Sequence, residues 1–146
     1  MMEVLPAINR KEIHEANIVV HRFEAKYYEL FHPEVYGRHE QNRINFTLQK
    51  ASNLIRNNRK KALDIGAGTG NITDKLLALG YNVTAVDISE EMCQILQNKN
   101  KTFQNKKQLT IVNSPIEDVH FNKDSFDLIT GFSVLHHLPD YADALR

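Results

Sequence analysis

The chain has 146 residues, with 18 Lys and Arg residues balanced by 18 Asp and Glu residues. This length fits one domain, and a formal net charge of zero argues against a broad electrostatic surface for nucleic acid or an anionic membrane. A single cysteine excludes an intrachain disulfide, no apolar run of about 18 residues is present, and residues 1–12 lack a secretory signal core. We therefore expect a cytoplasmic protein with no nucleic-acid or membrane partner.

The first part of the chain, residues 1–58, is predicted to form an N-terminal helical cap segment. Between residues 9 and 31, apolar residues recur at spacings of three and four, which predicts an amphipathic helix that ends before Pro33. Its expected apolar face is made by Ile13, Ala16, Val20, Phe23, Tyr27 and Leu30. A second predicted helix places four residues on one face, namely Ile44, Leu48, Ala51 and Ile55.

Strands alternate with helices in the remainder, residues 59–146. The strands are "KALDIG", "YNVTAVD", "QLTIVNS" and "SFDLITGFS". A helix that stops at Gly80 lies between the first two, a helix capped by Ser89 follows the second, and another begins at Pro139. This alternation predicts an α/β fold, a Rossmann-like parallel sheet with helices on both faces. Ligands of such sheets bind at the carboxyl ends of the strands, so we expect residues 59–146 to form a cofactor-binding domain.

A glycine loop follows the first strand, in the sequence "LDIGAGTG". It does not fit the dinucleotide pattern G-x-G-x-x-G, because Asn71 stands at the third glycine position. It closely resembles the first motif of class I S-adenosylmethionine-dependent methyltransferases. That cofactor carries a sulfonium and an ammonium but no phosphate, so the acid can serve its positive groups directly or through water. The residues that this resemblance assigns to the cofactor are Asp64, Gly66, Ala67, Gly68 and Gly70.

The second strand ends in an acid, Asp87, which lies 21 residues beyond Gly66. An acid at this point can accept hydrogen bonds from ribose hydroxyls. The resemblance implies the same role and places Ile88 beside the adenine. The alternative interpretation is an acid that only caps the following helix.

Residues 113–140 resemble the third and fourth motif regions of the same enzymes, especially the small-molecule branch of the ubiquinone and menaquinone biosynthesis type. That branch binds adenine through an acid and a neighbouring backbone N–H, but this chain has Pro115 at the acid's position. Ser114 or Glu117 is the expected substitute, and the Ile116 N–H stays available. Phe132, at the end of the fourth strand, is expected to contact the methionine part of the cofactor.

Two further features belong to this resemblance. The segment "AKYYELFHPEVY" resembles the tyrosine-bearing cap of the small-molecule branch, with Tyr28 at the matching position. Asp127, in "DSFDLI", is expected to be a structural residue at the start of the fourth strand.

Two adjacent histidines, His136 and His137, are the candidate catalytic residues. A histidine beyond the fourth strand can act as a general base toward a hydroxyl or amine, since its unperturbed pKa of about 6.5 suits neutral pH. The alternative is that one caps a helix and the other packs. No metal is expected, because adjacent strand residues point to opposite faces and no third ligand has suitable spacing.

The favoured function is therefore S-adenosylmethionine-dependent transfer of a methyl group to a small-molecule acceptor. A non-catalytic cofactor-binding fragment or interaction module, and a nicotinamide-dependent oxidoreductase, are the alternatives. The resemblance implies seven strands in the order 3-2-1-4-5-7-6, of which this chain supplies four, so we expect the order 3-2-1-4. We also expect this chain to be the N-terminal portion of a longer methyltransferase. Alone, it should self-associate through the exposed edge of the fourth strand and should not catalyse methyl transfer.

Overall fold

The computed structural model describes residues 9–56 and 58–144. The N-terminal stretch 1–12 and the helix expected after Pro139 therefore lie partly outside the described residues. Four parallel strands form one sheet in the order β3-β2-β1-β4, which confirms the predicted topology. They are β1 (Lys61–Ile65), β2 (Asn82–Asp87), β3 (Leu109–Asn113) and β4 (Leu128–Gly131).

The N-terminal segment is helical but is not one long helix. Asn9 caps α1 (Arg10–Glu24) through a capping box with Glu12, and a 3₁₀ turn (Ala25–Tyr27) ends it. The segment continues as α2 (Tyr28–Phe31), α3 (Pro33–Tyr36) and α4 (Arg38–Leu54). The break before Pro33 agrees with the sequence, whereas the break at Glu24 was not predicted.

The predicted apolar face of the first helix was wrong, because α1 contains no buried residue. Phe23 is 79% exposed and Leu30 is 72% exposed. The half-buried residues of α1 include Ile13 and Ile18, but the side chains that line the site described below are polar. The prediction for α4 is confirmed, since Ile44 and Leu48 are both buried.

The later helices follow the sheet strands. They are α5 (Asn71–Ala78), α6 (Glu90–Lys99), α7 (Lys101–Asn105) and α8 (Tyr141–Ala144). Gly80 follows α5 with a positive φ of 82°, and the Ser89 hydroxyl accepts the Met92 N–H at the start of α6. Both predicted helix signals are therefore confirmed. Asp127 also has the expected structural role, because it binds Arg59 at 2.7 Å and the Lys61 N–H at 2.9 Å.

The two faces of the sheet are covered differently. Ala62, Val83 and Ala85 pack with α4, α5 and α6 in the main core. The alternate positions Leu63, Ile65 and Val86 form a smaller cluster with Ile116 and with loop residues. Beside that cluster lies an open groove of about 620 Å³, lined in part by Leu63, Ile65, Phe126 and Ile129. Among the described strands β4 pairs only with β1, so its other edge is free.

The parallel register brings the functional strand ends together. Ile65 pairs with Val86 on one side and with Gly131 on the other, and Asp87 pairs with Asn113. The segments that follow all four strands therefore emerge at one edge of the sheet. In the described part of the chain, none of the helices combines the length and the apolar character that crossing a bilayer requires.

Candidate functional site

The glycine loop turns the chain from β1 into α5, and its three glycines have different tasks. All three have positive φ, which favours glycine. A Cβ at Gly66 would collide with Val134, and a Cβ at Gly70 would collide with Leu96. A Cβ at Gly68 would have no heavy atom within 4 Å. Gly68 therefore faces open space, whereas Gly70 permits close packing against α6.

Asp87, at the end of β2, holds the glycine loop. Its Oδ2 accepts the Gly68 N–H at 2.7 Å, and its Oδ1 accepts the Ser89 N–H at 2.9 Å. Burial raises the pKa of Asp87, although these two N–H donors and the nearby His21 counteract the increase. Asp87 also lines, with Gly68 and Ile88, a cavity of about 90 Å³ at the carboxyl ends of the strands. We call it the main cavity because the candidate site residues surround it, although the groove beside β4 is larger. A carboxylate is thus presented to the cavity with acceptor capacity to spare.

Asp64 differs from its expected position facing the cofactor. It is 1% exposed, and its two oxygens accept the hydroxyls of Thr73 at 2.6 Å and Thr130 at 3.0 Å. Burial raises its pKa to about 6, against the effect of these hydrogen bonds. Asp64 lies outside the cavity lining, and these two hydroxyls tie its strand, β1, to α5 and β4.

The segment after β3 supplies a second carboxylate. Ser114, Pro115, Ile116 and Glu117 line the main cavity, and the Ile116 N–H has no hydrogen-bond partner among the described residues. The Glu117 side chain is 3% exposed, yet neither of its oxygens accepts a hydrogen bond within the described chain.

The nearest groups to the Glu117 carboxylate come from α1. His14 Nε2 lies 3.5 Å from Oε1, and Arg10 Nη2 lies 4.0 Å from Oε2. His14 Nε2 is itself buried without a hydrogen bond. Buried polar groups normally have partners, so this pair is prepared for a ligand that supplies them.

The N-terminal helix forms the roof of the cavity with its polar face. His14, Asn17 and His21, spaced three and four residues apart, line the cavity together with Tyr28. Arg10 binds Asp118 at 2.9 Å and Arg22 binds Glu91 at 2.7 Å, which attaches the helix to the sheet domain. Sequence reasoning did not select His14, Asn17 or His21 as site residues, although their helical spacing was a usable signal.

The end of β4 closes the site. Phe132 and Ser133 line both the main cavity and a smaller adjoining one that includes Ala67 and Asn71. Ser133 has a φ of 55°, an uncommon conformation for a residue with a side chain. Tyr28 also lines both cavities, and burial raises its pKa to about 12, so its phenol is neutral at pH 7.

The two candidate histidines are placed differently. Both lie in a 3₁₀ turn (Leu135–His137). His137 lines the main cavity and contacts α1, whereas His136 is exposed and does not line it. Among the described residues no group of three His, Cys, Asp or Glu side chains is arranged to hold a metal ion.

A comparison with protein families gives an independent assignment. A family model described as a methyltransferase domain matches residues 63–146. The chain is 30% identical over 105 residues to a ubiquinone biosynthesis O-methyltransferase of Vibrio parahaemolyticus. The aligned part covers 71% of this chain and 43% of that protein. The chain thus spans less than half the length of the curated relatives that it matches.

Solved structures show the same fold at lower identity. The magnesium protoporphyrin IX methyltransferase of Synechocystis PCC 6803, solved with bound S-adenosylmethionine, has a TM-score of 0.68 at 17% identity and covers 97% of this chain and 71% of its own. A phosphoethanolamine N-methyltransferase of Haemonchus contortus, solved with S-adenosylhomocysteine, has a TM-score of 0.69 at 15% identity, covering 94% of this chain and 29% of its own.

Proposed function

The chain belongs to the methyltransferase-domain family, and from this premise we propose that it binds S-adenosylmethionine in the main cavity and transfers its methyl group to a small-molecule acceptor. The observation that carries the proposal is the bare backbone at Gly68, which faces open space beside Asp87. A ligand can approach this backbone closely and still reach a carboxylate.

The charges around the cavity suit this cofactor. Asp87 and Glu117 are the carboxylates that line the main cavity, and no Lys or Arg of the described residues lines it or the adjoining cavity. A pyrophosphate would meet negative charge there, whereas a sulfonium and an ammonium gain from it. When bound, S-adenosylmethionine supplies an electrophilic methyl group on a positively charged sulfur. The residues of the chain need only bind, align and shield it from water.

We assign different residues of the site to the ribose, the adenine and the methionine part of the cofactor. Asp87 accepts the ribose hydroxyls, Ile88 and Ile116 enclose the adenine, and Glu117 accepts the adenine amino group in place of the acid missing at Pro115. Gly66, Gly68, Ala67 and Phe132 contact the methionine part. The support for Glu117 is its buried carboxylate without hydrogen bonds.

Calorimetric titration with S-adenosylmethionine and S-adenosylhomocysteine tests the proposal. Gly68→Val should abolish binding, because the added side chain fills the space that the ligand would occupy. Gly80→Val is the matched control: Gly80 also has positive φ, and a Cβ there would make only ordinary contact with the flexible Lys60 side chain at 3.7 Å. Because Gly80 lies at the opposite end of α5, a similar backbone strain of about 1–2 kcal/mol should leave binding intact.

The outcomes separate the alternatives. Wild type that binds neither compound while folded would refute the proposal. Binding followed by transfer of labelled methyl would exclude the non-catalytic module, whereas binding without transfer is expected both of that module and of the N-terminal portion of a longer methyltransferase. Preferential binding of NAD would favour the oxidoreductase.

Compartment and association are further parts of the proposal. We propose that the protein acts in the cytoplasm, which suits its single cysteine: Cys93 is buried, and burial raises the pKa of its thiol to about 12.

We also propose that the free edge of β4 pairs with a second copy of the chain. Exposed strand edges are templates for such pairing, and Ile129 on this strand is 58% exposed.

A further inference from the structure

The N-terminal helix makes a specific polar contact with the segment after β4. The Asn17 Nδ2 donates to the His137 carbonyl oxygen at 2.9 Å. The Asn17 Oδ1 lies 3.2 Å from the His137 ring Nδ1. One amide side chain thus contacts both the backbone and the ring of a histidine that is 120 positions away in the sequence.

These two contacts of Asn17 determine which ring nitrogen of His137 carries the proton. A carbonyl oxygen can only accept, so the amide nitrogen of Asn17 must face the His137 carbonyl. The amide oxygen then faces the ring, and Nδ1 must be the donor. Neutral His137 is therefore held with its proton on Nδ1 and the lone pair on Nε2. Nε2 has no hydrogen-bond partner among the described residues.

The surroundings of His137 favour the neutral ring. Burial lowers its pKa, and the neighbouring rings of His136 and His21 lower it further, while Glu24 on α1 acts in the opposite direction. The His21 ring centroid is 5.2 Å away and that of His136 is 4.0 Å away. At neutral pH the ring is thus unprotonated and available to accept a proton.

We propose that Asn17 is a positioning residue that fixes His137 as the proton acceptor for an incoming hydroxyl or amine. This inference rests on the proposed function. The acceptor oxygen or nitrogen forms a bond to the methyl carbon, the electron pair of the methyl–sulfur bond returns to sulfur, and the acceptor proton moves to His137 Nε2. Water then takes that proton from the imidazolium. The cap helix thereby completes the site chemically as well as covering it.

The tautomer can be measured without turnover. Long-range ¹H–¹⁵N spectra of the imidazole rings, with His137 assigned by its loss in His137→Gln, should show the proton of His137 on Nδ1. Asn17→Leu should lose this tautomer in favour of the Nε2–H form, which predominates in unstructured peptides. Asn17→Asp keeps the oxygen acceptor, so it should retain the Nδ1–H form and raise the titration midpoint of His137 because a negative charge now faces the ring.

A matched control separates positioning from simple attachment. Arg22→Gln removes one of the ion pairs that attach α1 to the sheet domain, the pair with Glu91, without removing a group that contacts His137, and should leave the tautomer unchanged. An Nε2–H form of His137 in the wild type, or an unchanged Nδ1–H form in Asn17→Leu, would overturn the inference. Cofactor binding is decided separately by calorimetry, so failure of the proposed function would remain distinguishable.

Discussion

At the scale of single residues, the acids of this site differ more than their positions in the sequence suggest. Asp87 accepts two backbone N–H groups beside the cavity. Asp64 accepts hydrogen bonds from two threonines inside the fold. Glu117 is buried and neither oxygen accepts a hydrogen bond, although basic side chains of α1 lie 3.5–4.0 Å away. The three carboxylates thus have different surroundings, and we propose ligand-binding roles for Asp87 and Glu117 only.

The proposed contact between Glu117 and the adenine amino group can be tested with an analogue in which that amino group is replaced by a carbonyl. We expect Glu117→Gln to reduce the preference for S-adenosylhomocysteine over S-inosylhomocysteine by about 10-fold or more, because a carboxylate only accepts whereas an amide also donates to the inosine carbonyl. Calorimetric dissociation constants for both compounds measure this ratio. Asp118→Asn, at a neighbouring side chain that is 59% exposed, is the control. An equal ratio in wild type and Glu117→Gln would show that the carboxylate does not contact the base.

Asp64 should make stability depend on pH. Its folded-state pKa of about 6 lies above the ordinary value of 3.8, so the folded state binds the proton more tightly. The contribution of the protonated Asp64 to the free energy of unfolding is fully present below about pH 4 and is lost as pH rises through about 6. Asp64→Asn should therefore gain stability relative to wild type between pH 4 and pH 7, by on the order of 3 kcal/mol.

Urea unfolding of both proteins at the two pH values gives this double difference, which cancels the titration of groups that Asp64 does not affect; Asp87, whose charge raises the pKa of Asp64, is the group that remains coupled to it. A difference near zero would mean that the two threonines compensate fully for the burial of the carboxylate.

At the scale of secondary-structure elements, α1 shows why an amphipathic pattern does not by itself assign a buried face. The helix has an apolar side and a polar side, and the polar side lies over the cavity. His14, Asn17 and His21 face the site, while Phe23 is 79% exposed. Burial of polar side chains is acceptable here because the partners are polar groups and a ligand cavity rather than the core.

This orientation predicts a mutational contrast. Phe23→Gln should change the free energy of unfolding by no more than about 0.5 kcal/mol, as expected for an exposed site. Leu48→Ala on α4, where the side chain is 6% exposed, should cost about 2–5 kcal/mol. Chemical denaturation of the two variants measures both values. A loss of several kcal/mol in Phe23→Gln would place that ring in a buried interface.

At the scale of the whole molecule, the two faces of the sheet are covered unequally. Helices α4, α5 and α6 cover the face formed by Ala62, Val83 and Ala85. The opposite face is buried at β1 and β2 by a smaller cluster but borders an open groove beside β4, and among the described strands β4 has a free edge. The chain also spans less than half the length of its curated relatives. We therefore expect the β4 side to govern how the chain behaves in solution.

Association through β4 can be measured by sedimentation velocity across a concentration series. Ile129→Lys should shift the protein toward the monomer, because a charge on an edge strand disfavours pairing with another strand. Thr110→Lys, at an exposed position of β3 on the opposite edge of the sheet, should not. A wild-type protein that stays monomeric at every concentration would contradict the proposed pairing.

The sequence by itself determined the strands, the glycine loop, the cap at Ser89 and the candidate acid Asp87, because each depends on residues close together in the chain. The strand order followed from the family resemblance that these motifs carry. Only the tertiary structure decided the orientation of α1, the burial of Asp64 and the placement of His137 rather than His136 in the cavity lining. Those depend on contacts across the fold, such as Asn17 with His137 over 120 positions. Local periodicity shows that a helix has two faces, but the packing of distant segments decides which face meets the site.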